Sequence, residues 1–98
     1  MFVIEITYKV PLEEIDKHFE DHVAFLEKYF AKGTFLVSGR KMPREGGIIL
    51  ATAASKEVIN NIIKEDPFYV HRLADIRVIE FTAGRKAAGL EQLILQTT

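Results

Sequence analysis

The sequence predicts an α+β sandwich: a four-stranded antiparallel sheet with two helices on one face. Three observations predict it. Four short segments are rich in β-branched and aromatic residues and alternate in polarity. Two segments carry helical periodicity with helix start and stop residues. Their order along the chain is β-α-β-β-α-β, the split βαβ arrangement of ferredoxin-like folds. A 98-residue chain is the size of one domain with a single modest core.

The first strand is "FVIEITYKV", with Phe2, Ile4, Ile6 and Tyr8 on one face. The segment from Pro11 to Gly33 then reads as one long helix of about 30 Å. Pro11 suits the first helical position, Glu13 and Glu14 the positive end of the dipole, and Lys28 and Lys32 the negative end. Gly33 suits the closing left-handed turn. "TFLVSG" and "IILATA" are the second and third strands, joined as a hairpin through "RKMPREGG". Ser55 can cap a second helix whose stripe is Val58, Ile59, Ile62 and Ile63. "DPFYVHRL" interrupts, and "ADIRVIEFT" is the fourth strand. Residues 1–83 form the single predicted domain. Residues 84–98 are a C-terminal tail that either packs on a dimer partner or frays.

Hydrophobic residues make up 48% of the chain and charged residues 28%, an ordinary globular composition. The net charge of −1 and the lack of a basic stripe give nucleic acid no electrostatic advantage as a partner. The absence of cysteine excludes disulfides, thiolate metal sites and a cysteine nucleophile. No apolar run approaches the roughly 20 residues of a membrane span, and no signal peptide is apparent, so a cytoplasmic protein without a membrane partner is expected. The fourth strand is apolar on both faces, with Ile76 and Val78 on one side and Ile79 and Phe81 on the other. A sheet face left open by the helices should be more polar than this, which predicts a homodimer packed through sheet faces.

The candidate chemistry starts with His22. Wound at about 100° per residue, it falls roughly 20° from Ile15, inside the apolar stripe of the first helix. By position alone it reads as an ordinary core histidine bonded to a backbone carbonyl. A general acid or base is the alternative. Asp66 alone reads as the cap of a turn begun by Pro67, but a carboxylate there could reach a histidine on the first helix and orient it. The hairpin adds Ser38, the permissive glycines Gly39, Gly46 and Gly47, and Arg40, Lys41 and Arg44, which could hold a small anion. His18 and His22 share a helical spacing suited to a metal, but no third ligand is placed by spacing, so no metal is expected. Ser38, His22 and Asp66 supply the residue types of a serine triad, yet no nucleophile elbow surrounds Ser38.

Three separated pieces, "DHVAFLEKY", "VSGRKMPREGGIILA" and "EDPFYV", together resemble the YciI-like family (YCII-related domain) over roughly residues 1 to 90. The resemblance implies a dimeric α/β barrel of ferredoxin-like chains, with an active site built around a histidine-aspartate pair carried here by His22 and Asp66. It implies a small cofactor-independent enzyme performing proton transfer, of lyase or isomerase type, on a small aromatic or anionic molecule. Ser38, Gly39 and Arg44 would bind substrate, and Tyr8 and Phe68 would form an aromatic wall. The alternative is a noncatalytic dimer that binds a metabolite or serves as an accessory module. The chain departs from the family pattern at Gly39-Arg40, where Gly-Pro is frequent, which adds a charge at the expected pocket mouth.

Overall fold

The computed structural model describes residues 1–90. The tail residues 91–98 lie outside the described region, and with them most of the segment expected to pack on a partner. The strands are β1 (Phe2–Tyr8), β2 (Phe35–Arg40), β3 (Gly46–Ala51) and β4 (Ala74–Glu80). They form one antiparallel sheet in the order β2-β3-β1-β4. The helices are α1 (Leu12–Lys17), α2 (Phe19–Ala31), α3 (Lys56–Ile63) and the short α4 (Pro67–Val70). The fold is the expected α+β ferredoxin-like sandwich.

The alternation in β1 does what it predicts. Phe2, Ile4 and Ile6 are buried under the helices, while Val3, Glu5 and Thr7 face the other way. Ile15 of α1, Phe25 and Tyr29 of α2, and Ile59, Ile62 and Ile63 of α3 close over them. Fully burying side chains of this kind contributes about 1.5–3 kcal/mol each before conformational entropy is subtracted. α3 is capped as expected, with the Ser55 hydroxyl accepting from the Val58 N–H at 3.3 Å.

Two boundaries differ from the sequence reading. The expected single long helix is broken at His18, whose backbone (φ −115°, ψ 6°) leaves helical geometry. Its N–H bonds to the Ile15 carbonyl three residues back, a tighter turn than the α-helix. Neither proline nor glycine marks the break. It falls where the His18 ring stacks on His71 of the chain following α4, with centroids 4.2 Å apart.

The second difference lies in the hairpin. Gly46 and Gly47 belong to β3, opposite Thr7 and Ile6 of β1, and not to the loop. Gly46 has φ +157°, and a Cβ there would stand 1.8 Å from the Ile6 carbonyl oxygen. The backbone that demands this glycine is therefore that of the neighbouring strand.

The face of the sheet away from the helices carries one apolar row across all four strands: Val37, Leu50, Val3 and Ile79. The next row is Gly39, Ile48, Glu5 and Arg77. Val37 (56%), Ile48 (38%) and Ile79 (39%) are exposed. No helix among the described residues is long and apolar enough to cross a membrane.

Candidate active site

His22 sits one turn into α2, on the buried face shared with Phe25 and Tyr29. Asp66 precedes Pro67, and its carboxylate caps α4 by accepting the Phe68 N–H at 3.0 Å. The same Oδ1 lies 2.8 Å from His22 Nδ1. The sequence posed capping and histidine contact as alternatives, yet a single oxygen does both.

Asp66 is 2% exposed and His22 7%. With Asp66 ionised, the same Oδ1 accepts from both the Phe68 N–H and the His22 Nδ1–H. Nε2 is then the nitrogen free to exchange a proton. The imidazole is also held flat against Phe68, ring centroids 4.1 Å apart and planes 10° from parallel, and Tyr8 meets the same Phe68 ring edge-on at 5.7 Å. Packing and the hydrogen bond together leave the ring one orientation.

A cavity of about 160 Å³ opens beside His22, between α2 and the β2-β3-β1 part of the sheet. Ile6, Phe19, Leu26 and Ile49 give it apolar walls. Its polar side chains are His22, Tyr8, Ser38 and Arg40, and Gly39, Gly46 and Gly47 contribute backbone. Burial pushes the Tyr8 phenol above its usual range, and the nearby Arg44 and, more weakly, Arg40 guanidinium groups oppose that shift. Tyr8 thus keeps its proton through neutral pH and presents a donor.

The structure brings His22, Tyr8, Ser38 and Gly39 to this cavity. It places Asp66 and Phe68 behind His22, as the groups that hold it. Arg44 does not itself line the cavity: it donates to Asp16 of α1 at 2.6 Å, lies over the ring of the cavity residue Phe19 at 5.7 Å and stands beside the Tyr8 hydroxyl. That pairing with Asp16 raises the Arg44 pKa.

Arg40 is the hairpin cation on the cavity wall. Strand parity holds the signal that finds it. Ser38 and Arg40 are two apart in β2, opposite Ile49 and Gly47, and so share the helix-facing side.

A second contact of the same two segments carried no sequence signal. Glu65, the neighbour of Asp66, accepts from Lys28 Nζ at 2.6 Å and from the Tyr29 hydroxyl, both on α2. Among the described residues no cluster of three or more metal-ligating side chains exists.

Fold and site together define a small ferredoxin-like α+β protein with a buried histidine-carboxylate pair beside an accessible cavity of about 160 Å³. The YCII-related domain model matches residues 1–82, and the chain belongs to that family. A solved structure with the same fold is the 5-chloro-2-hydroxyhydroquinone dehydrochlorinase TftG from Burkholderia phenoliruptrix AC1100, in complex with 2,5-dihydroxybenzoquinone. The two share 20% sequence identity and superpose with a TM-score of 0.71 over 86% of this chain and 96% of that one. A search of curated proteins finds no match.

Proposed function

We propose that the protein is a small cofactor-independent enzyme in which His22, oriented by Asp66, moves a proton on a small aromatic molecule in a lyase- or isomerase-type reaction. The observation that carries this reading is the 2.8 Å bond between His22 Nδ1 and Asp66 Oδ1 on the wall of an accessible cavity. With Nδ1–H committed to the carboxylate, Nε2 accepts a proton from the substrate, and Asp66 stabilises the imidazolium that results. The proton then returns to a different substrate atom, giving an isomer, or passes to solvent as a leaving group departs with its electron pair. Ser38 and Tyr8 would hold substrate hydroxyl or carbonyl oxygens, and the apolar walls would sandwich the ring. The likeness of fold to a dehydrochlorinase acting on a hydroquinone supports this reaction class.

The reading includes a homodimer joined through the sheet faces, supported by the Val37-Leu50-Val3-Ile79 row exposed there. Sedimentation of the wild type and of Ile79→Glu tests this part: a dimer that the substitution converts to monomer is expected.

Turnover of a panel of hydroquinones, halogenated phenols and small lactones tests the chemistry, with His22→Asn and Asp66→Asn alongside. His22→Asn should remove turnover by a factor of about 10² or more. Asp66→Asn should lower kcat and displace the acid limb of the pH profile. Turnover unchanged in His22→Asn would sink the reading.

A further inference from the structure

We infer that the cavity selects a single aromatic ring bearing an oxyanion, and that Arg40 is the residue that reads the charge. The inference rests on the proposed active site and names its substrate class.

Size comes first. A cavity of about 160 Å³ is close to the roughly 150 Å³ apolar cavity that holds one benzene molecule, so a single aromatic ring fits within its walls. The apolar walls at Ile6, Phe19, Leu26 and Ile49 suit the faces and edges of such a ring.

Charge comes from the hairpin's accounting. It supplies three cations. Lys41 Nζ is bound to Thr7 Oγ1 at 2.9 Å and to Glu5 at 3.3 Å, on the other face of the sheet. Arg44 is bound to Asp16 at 2.6 Å. Arg40 has no ion pair among the described residues and borders the cavity.

Its register position explains the access. The residue opposite Arg40 in β3 is Gly47, which has no side chain, and the next across is Ile6, itself a cavity wall. No side chain at the paired position therefore stands between Arg40 and the cavity it borders. A planar fork of N–H donors next to an apolar slot matches a carboxylate or phenolate in the plane of a bound ring. His22 lines the same cavity from α2, so a ring held at Arg40 shares the cavity with the imidazole.

Binding without turnover separates this inference from the reaction it serves. The probes are 2,5-dihydroxybenzoate and its amide, 2,5-dihydroxybenzamide, which match in shape and differ in charge. Titration calorimetry or NMR shift titration of the wild type should show the benzoate bound about tenfold or more tighter than the amide. Added salt should narrow that ratio. In Arg40→Met the ratio should collapse toward one with amide affinity retained, and Arg40→Lys should restore part of it. Lys41→Met, the control on the other face of the sheet, should leave the ratio unchanged. A wild-type ratio near one, or a ratio that survives Arg40→Met, overturns the inference while leaving the His22 chemistry standing. Failure of both probes to bind at millimolar concentration overturns the inference, and the proposed function then stands or falls on the turnover panel alone.

Discussion

Glu65 and Asp66 are consecutive carboxylates that both reach across to α2, and they sit in opposite environments. Glu65 keeps 43% of its side chain in solvent and meets Lys28 and Tyr29 at the surface. Asp66 is 2% exposed and meets His22 and the Phe68 amide in the interior. An exposed ion pair exchanges one set of water contacts for another and is worth about 0–1 kcal/mol. A buried carboxylate has no water to fall back on, so removing one partner strands the other. The same two segments are thus joined twice, once loosely and once in a way that tolerates no vacancy.

The largest effect expected from breaking this contrast comes from Asp66→Ala. It removes the His22 bond and the α4 cap at once, and should cost about 3 kcal/mol, or roughly 10 °C or more in Tm, by thermal or urea denaturation. His22→Phe comes next. It keeps the stack on Phe68 but leaves Asp66 without its imidazole, for a loss of about 2 kcal/mol. The double variant should show a coupling of about 1–2 kcal/mol, and additivity instead would mean that the pair does not act as a unit.

Tyr29→Phe, which deletes one hydroxyl bond to Glu65, should cost about 0.5–1 kcal/mol. Glu65→Gln is the smallest. Hydrogen bonds from Lys28 and then from Tyr29 hold the Glu65 carboxyl below its usual range. A depressed carboxyl contributes stability above its unfolded pKa and loses it as pH falls through the folded one. The Tm gap between wild type and Glu65→Gln should therefore be present at neutral pH, close as pH falls below about 4, and shrink in high salt. A gap that widens on acidification would contradict the assignment.

The strands and the existence of both helical layers were legible because they rest on local periodicity, which β1 and α3 show cleanly. The break at His18 was not, because it accompanies a stack on His71, 53 residues away in sequence. Nor was the placement of Gly46 and Gly47 in β3, since that depends on how closely β1 approaches. His22 and Asp66 could be named as residue types, but their shared bond spans 44 positions and needs the fold to exist. Arg40 and Arg44 sit four apart in one hairpin and look alike in sequence. What separates them is Asp16, a residue of another element that occupies Arg44.

His22 and Tyr29 are seven residues apart on α2, two helical turns or about 10.5 Å along its axis and within roughly 20° of the same azimuth. Each is gripped by one of two adjacent residues on the opposing segment. A cylinder pinned at two points along one line cannot roll about its own axis without breaking both pins. The angle at which the imidazole meets the cavity is consequently a property of the folded chain, and an arriving substrate has no torsional adjustment to impose on it.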